Sequence, residues 1–226
     1  MRHLQHPELA ERIHQGIGSR IATGRLHELG FFLCTTLGYD LDPYTEQHQI
    51  HVADLSVAIG LKLGLDAHRL EGLRVSARVH DLGKFSVPTA ILVKTEPLSD
   101  IELEVVREHV EMGHAVLTQF ALQWPVAEIV EQHHERLDGS GYPKGLRADD
   151  ILIEAKIIAV ADTVEAMTCE RSYKKAKGLD AALQTIADGR GTLFDTDVVN
   201  ACLDLFCNHH YAFSYPCKHL PPKLYK

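Results

Sequence analysis

Histidine and aspartate recur in this chain at positions where helix periodicity calls for hydrocarbon. Apolar residues spaced three and four apart mark a series of amphipathic helices, and most of them carry an ionisable residue on the inward stripe. The first strong helix starts at Tyr44 and aligns Val52, Leu55, Ile59 and Leu63, with His48 one turn earlier on the same stripe. The next aligns Leu70, Leu73, Ala77 and His80, with Asp81 adjacent and Gly83 as its expected terminator. A third begins at Ser99, with Glu102 at capping-box spacing, and its stripe runs Ile101, Val105, His109, Met112, Val116. Trp124-Pro125 opens a fourth, because proline is tolerated at the first helical position, and Val126, Ile129 and Val130 lead to the pair His133-His134. A fifth puts Asp162 in line with Ile151, Ala155 and Ile158. Two more amphipathic helices fill Leu179 to Phe206, broken by Gly189, Gly191 and the Phe194-Asp195 turn.

A single core histidine would be unremarkable. Seven ionisable residues on inward faces (His48, His80, Asp81, His109, His133, His134 and Asp162) are not. Burying an unpaired ionisable group costs several kcal/mol, and shared coordination of a cation removes that cost for all of them together. Imidazole and carboxylate without thiolate suit iron, manganese, or zinc with open positions better than a structural tetrahedral zinc. Seven ligands are too many for one tetrahedral ion and natural for two. Asp81, next to His80 and able to reach a neighbouring ion, is the expected bridge. Two ions ~3.5–4 Å apart can activate a shared water and clamp the attacking and leaving oxygens of a phosphodiester, which is a hydrolase design.

The rest of the sequence fits one all-α domain. At 226 residues, 45% hydrophobic and 24% charged, the chain is long enough for one sizeable helical core, and few segments alternate with period two. The pattern is weak through residues 1–43, a short helical leader, and sharp over 44–206; residues 207–226 read as a C-terminal tail. A net charge of −8 argues against general nucleic-acid binding, so an anionic ligand must be held by local cations. No apolar run nears the ~20 residues of a membrane span, and no signal-peptide core opens the chain. Cys34, Cys169, Cys202, Cys207 and Cys217 are an odd number without a CxxC pair; neither a disulfide framework nor a thiolate zinc site is indicated, and a cytoplasmic setting fits. The C-terminal run Cys202, Cys207, His209, His210, Cys217, His219 is rich in soft ligands, but its spacing matches no zinc pattern and a helix end plus surface tail is expected.

His80-Asp81-Leu82-Gly83-Lys84 resembles the signature of HD-superfamily phosphohydrolases, and HHERLDGSGYPKG, from His133 to Gly145, resembles the motif that names the HD-GYP family. The DPYTEQH segment ending at His48, the His109 helix and IIAVADTVEAMTCERSYKKA from Ile157 to Ala176 lie in register with that family, so the resemblance covers roughly Asp42 to Phe206. It implies an HD-superfamily helical bundle with an extended GYP loop (Gly141, Tyr142, Pro143) and a dinuclear site. The activity it implies is metal-dependent hydrolysis of cyclic di-GMP to linear pGpG by a hydroxide held between two divalent ions, iron or manganese ahead of zinc or nickel. The family's metal ligands fall on the same seven positions; Asp81 and Lys84 take the catalytic roles. Lys84, Arg171 and Lys174 become phosphate contacts, and Tyr142 a candidate to stack on guanine, with a plug under the loop as its bland alternative. Arg171 suits that role because its guanidinium can fork onto phosphate oxygens. Partners implied are the cyclic dinucleotide, a diguanylate cyclase or other signalling protein through the GYP loop, and a second copy through the leader.

Two positions depart from the family pattern. Members with a third metal carry glutamate four residues before the first histidine, where this chain has Tyr44, so two metals are expected and onward cleavage of pGpG to GMP should be slow or absent. His51 stands where arginine is usual; it could add a ligand, but a place at the surface or behind the ligands is expected. Alternatives kept open are hydrolysis of 3′,3′-cyclic GMP-AMP or another nucleotide, and a cyclic-dinucleotide sensor or interaction module that barely turns over.

Overall fold

A computed structural model describes residues 43–169 and 176–214, with side chains from residue 46 onward. Among these residues the secondary structure is helical, and only isolated β-bridges, Asp138 with Arg147 and Arg190 with Phe194, interrupt it. The α-helices are α1 (Pro43–Lys62), α2 (Ala67–Val79), α3 (Thr89–Leu92), α4 (Asp100–Arg107), α5 (His109–Leu117), α6 (Val126–Gln132), α7 (Ile153–Thr168), α8 (Leu179–Asp188) and α9 (Thr196–Asn208). Short 3₁₀ turns occupy Leu82–Ser86 and Ala148–Asp150.

Local chemistry sets several of these boundaries. Asp66 caps α2 by accepting from the Arg69 amide, and Asp195 caps α9 by accepting from the amides of Asp197 and Val198. Ser99 and Glu102 form the reciprocal capping box of α4 foreseen from their spacing. The single helix expected from Ser99 to Val116 is instead two, α4 and α5, parted at Glu108. The His109 ring explains the break: its Nδ1–H donates to the Val106 carbonyl at 2.6 Å, the acceptor that an unbroken helix would give to the amide of residue 110. With the break the stripe fails at its start, and Ile101 is 78% exposed.

Two hydrophobic clusters hold the bundle. The larger joins Leu55 and Ile59 of α1, Leu73 of α2, Ile157, Ile158 and Val164 of α7, Ile186 of α8 and Val198 of α9. The smaller joins Val75 and Val79 of α2, Leu117 of α5, and Val126 and Val130 of α6 with Trp124. At roughly 25 cal/mol per Å² of apolar surface removed from water, such burial stabilises each fully enclosed aliphatic side chain by about 1.5–3 kcal/mol. Gly83, the terminator expected from sequence, does not itself end α2, which stops at Val79. It lies in the 3₁₀ turn, where a Cβ would fall 1.9 Å from the His109 carbonyl oxygen and 2.6 Å from the Gly113 amide nitrogen, so its bare backbone lets the turn pack directly on α5.

Among the described cysteines, Cys202 and Cys207 are free. Cys202 is buried in the larger cluster, Cys207 is exposed, and the His209 imidazole pairs with Asp204, so the described members of the C-terminal Cys/His run do not converge. Among the described residues no helix is long and apolar enough to cross a membrane.

Candidate metal centre

The seven residues selected from the helical stripes meet between the two clusters. His48 comes from α1, His80 and Asp81 from the end of α2, His109 from the start of α5, His133 and His134 from the end of α6, and Asp162 from α7. Ring centroids lie 5.2 Å apart for His48 and His80, 5.1 Å for His80 and His133, 5.2 Å for His109 and His134, and 4.0 Å for His133 and His134. His48, His80, His109 and His133 are nearly or fully buried.

Helix termini aim three of these rings. His80 Nδ1–H donates to the Ala77 carbonyl at 2.7 Å, His109 Nδ1–H to Val106 at 2.6 Å, and His133 Nδ1–H to Val130 at 2.6 Å. Each bond reaches back three residues to a carbonyl in the last turn of α2, α4 or α6, one of the acceptors a helix end leaves without an amide. A carbonyl only accepts, so each ring keeps its proton on Nδ1 and presents the Nε2 lone pair to the centre. Those Nε2 atoms are buried and find no hydrogen-bond partner among the described residues. Buried polar atoms are rarely left so, and three such lone pairs turned into one pocket are what metal ligands look like. His48 presents Nε2 3.5 Å from Asp81 Oδ2 and 3.5 Å from Asp162 Oδ1.

Asp81 stands between two groups of imidazoles. Its Oδ2 is 3.5 Å from Nε2 of both His48 and His80, and its Oδ1 is 3.5 Å from Nε2 of His109. Such separations are long for hydrogen bonds and close to the ~3.4 Å expected between two ligands each about 2.1 Å from one tetrahedral ion. Ligand atoms of His48, His80 and Asp162 fall within 4.8 Å of one another, as do those of His109, His133 and His134, and of His80, Asp81 and His133. The donor set thus fits metal binding in two adjacent groups with one carboxylate reaching both.

Electrostatics keep the donors in their binding forms. Burial lowers the pKa of His80 against the pull of Asp81, brings His109 down to about 4, and holds His133 and His134 well below the ordinary imidazole value, neighbouring imidazoles adding to it. Burial opposes ionisation of Asp81, but Lys84 and then His80 outweigh it and hold the carboxyl well below its usual range. Lys84 Nζ donates to Asp81 Oδ2 at 2.5 Å. At neutral pH these four imidazoles are therefore neutral and the Asp81 carboxylate charged.

The loop after His134 forms one wall. Tyr142 stacks on His134 with centroids 4.8 Å apart and planes inclined by 25°, and the Arg107 guanidinium lies 5.2 Å from the Tyr142 ring centroid. Gly141 runs so close to the end of α6 that a Cβ would come within 2.4 Å of the Arg136 amide nitrogen and 2.5 Å of the His134 carbonyl oxygen. The Tyr142–Pro143 peptide is cis. Beneath the loop, the buried Glu135 carboxylate accepts from the amides of Lys144 at 2.7 Å and Leu146 at 3.0 Å, while Lys144 Nζ donates to Glu131 at 2.6 Å. Arg171 and Lys174, the other cations assigned to phosphate, lie outside the described residues.

Several contributors were not singled out in the sequence. Glu165, Glu135, Glu131 and Arg136 all pack around the centre or its loop, and the spacing of Glu165 three residues after Asp162 was the one visible sign. His51 is fully buried rather than at the surface; its Nδ1 lies 3.4 Å from Glu165 Oε1, behind the ligand array.

Comparison with known proteins gives the family. An HD domain model matches residues 36–198. The chain is 39% identical over 155 residues to the cyclic di-GMP phosphodiesterase response regulator RpfG of Xanthomonas campestris pv. campestris, covering 68% of this chain and 40% of that protein. It is 35% identical over 156 residues to the 3′3′-cGAMP-specific phosphodiesterase 3 of Vibrio cholerae, covering 69% and 34%. This chain thus spans less than half the length of these curated relatives. Among solved structures, Bd1817, an HDG"Y"P protein from Bdellovibrio bacteriovorus, superposes with a TM-score of 0.62 over 88% of this chain and 69% of that one; at 16% identity the likeness bears on fold alone. The helical bundle seen here agrees with that fold, the His80-Asp81 pair sits inside the matched span, and His133 to Gly145 supplies the extended loop: this chain belongs to the HD-domain family, in its HD-GYP branch.

Proposed function

We propose that residues 44–206 form the catalytic unit of a cyclic dinucleotide phosphodiesterase that opens cyclic di-GMP to linear pGpG. The observation that carries this reading is Asp81, whose two oxygens face separate groups of buried imidazoles at 3.5 Å. In this reading His48, His80 and Asp162 hold one divalent ion, His109, His133 and His134 hold a second, and Asp81 reaches both. Iron or manganese suits these nitrogen and oxygen donors, with zinc or nickel as alternatives. Two such ions would supply an activated water and neutralise charge on the phosphodiester.

The chain's own residues do the remainder. The imidazole tautomers are fixed in advance by Ala77, Val106 and Val130, so no reorganisation is needed on binding. Lys84, tethered to Asp81, would donate to a phosphoryl oxygen as charge develops there. Arg171 and Lys174 are assigned to the substrate's phosphates on family resemblance. Tyr142 keeps at most one ring face for a guanine, since the other lies on His134, so it acts first as a wall of the groove.

The decisive experiment combines metal analysis of anaerobically purified protein with chromatography of products from cyclic di-GMP and 3′,3′-cyclic GMP-AMP. Two ions per chain and pGpG as product, lost in Asp81→Ala, support the reading. Preference for cyclic GMP-AMP would favour the second substrate, which the Vibrio cholerae relative keeps in play. Binding of cyclic di-GMP without product by fully loaded protein would favour a sensor instead.

A further inference from the structure

The ligand imidazoles are not all supported alike. His80, His109 and His133 lean on neutral backbone carbonyls through Nδ1. His48 leans on a charge: its Nδ1 lies 2.5 Å from Oε2 of Glu165, which α7 brings in from 117 residues further along the chain. Both side chains are deeply buried, His48 3% and Glu165 1% exposed. The other carboxylate oxygen, Oε1, is 3.4 Å from Nδ1 of His51, one turn after His48 on α1. Glu165 thus stands behind two imidazoles of one helix, on the His48 ring nitrogen not turned toward Asp81 and Asp162.

Placing a carboxylate there is costly unless it does something a carbonyl cannot. A buried anion loses several kcal/mol of hydration, and a neutral acceptor would fix the same tautomer without that loss. What the charge adds is electron density. A carboxylate accepting from Nδ1–H makes Nε2 a stronger donor to a cation and holds the ring plane against rotation.

We propose that Glu165 is a positioning residue that tightens one of the two ions selectively, the one assigned to His48, His80 and Asp162. The proposal rests on the metal-centre reading above. In this reading Glu165 ligates neither of the two ions and acts through His48. The group formed by His109, His133 and His134 has no equivalent carboxylate among the described contacts, since His133 and His109 use carbonyls and His134 lies against the rings of His133 and Tyr142. The two ions should therefore respond differently to loss of one charge.

The test is manganese binding to metal-free protein, followed by the spin-resonance signal of free Mn²⁺ during titration, for wild type, Glu165→Gln and Glu165→Ala. Glutamine keeps the size and an amide oxygen that can accept from Nδ1–H but removes the charge, and it covers the case in which the alanine variant fails to fold. Expected is two-step uptake in wild type, with one step weakened ~10–100-fold in Glu165→Ala and less in Glu165→Gln, while the other stays within about threefold. A proton NMR resonance of the His48 Nδ1–H, shifted downfield in metal-free wild type, should move or vanish in the alanine variant. Equal weakening of both steps would mark Glu165 as a general structural group and overturn the proposal, as would unchanged binding in both variants. Wild-type protein that takes up no manganese would overturn the metal-centre reading itself.

Discussion

At the scale of single residues, Asp81 and Lys84 concentrate most of the chemistry. Asp81→Ala should abolish turnover and reduce metal content, because among the described residues Asp81 is the carboxylate whose oxygens face both imidazole groups; metal analysis alongside a product assay checks both. Lys84→Met should leave metal content intact while lowering kcat/KM on the order of 100-fold, the usual loss when one preorganised donor to developing charge is removed. A Lys84→Met protein that keeps full kcat/KM would leave its contact with Asp81 as its only role. The convergence of the candidate ligands was legible because a histidine on an apolar stripe is out of place, and seven out-of-place residues share one explanation. Glu165 was not, because two carboxylates three residues apart are common on solvated helix faces, and only the partner helix reveals that this one points inward. Glu135 and Arg136 were hidden similarly inside a segment whose charges read as surface.

At the scale of elements, helix ends and ligands are the same contacts. Terminating α2, α4 and α6 leaves carbonyls of Ala77, Val106 and Val130 without amide partners, and the histidines that take them become aimed donors. Stripe periodicity identified these histidines but missed the break at Glu108, since a side chain competing for one carbonyl leaves no periodic trace. It also put Ile101 inside, whereas Ile101→Lys should change stability by less than about 0.5 kcal/mol in a urea melt, as for surface positions generally. Gly83→Ala is the opposite case. A Cβ 1.9 Å from a backbone oxygen cannot be relieved by rotating a side chain, so the turn must leave α5. The expected cost is about 1–3 kcal/mol or more by chemical denaturation, with metal uptake lost because Asp81 and His109 are pulled apart.

At the scale of the molecule, acid should dismantle the apo protein before it reaches ordinary carboxylate pKa values. His109 has a folded value of about 4 against an ordinary 6.5, so between those limits the unfolded chain binds a proton that the native one refuses. Stability is unaffected above 6.5 and falls with pH from there toward 4, by up to ~1.4 kcal/mol per unit for each such group. His80, His133 and His134 are shifted in the same direction and add to it. Asp81, depressed below its ordinary 3.8, stabilises above that value and is lost only at lower pH, so it steepens the final collapse. Urea midpoints of metal-free protein should be level from about pH 7 upward and drop steeply below 6. A chelator should lower the melting point of loaded protein at pH 7.5, since metal at 100 times its Kd adds about 2.7 kcal/mol. The all-helical bundle was legible as a whole because helical periodicity and an overfilled ligand set point the same way.

The double grip of Glu135 on Lys144 and Leu146, with Glu131 holding the Lys144 ammonium, means that the segment carrying Tyr142 is tied down from beneath. Any partner docking on this segment would meet a surface already ordered and would lose little conformational freedom. Recognition there should be fast and nearly rigid, decided by outward side chains such as Ser140 rather than by a disorder-to-order transition.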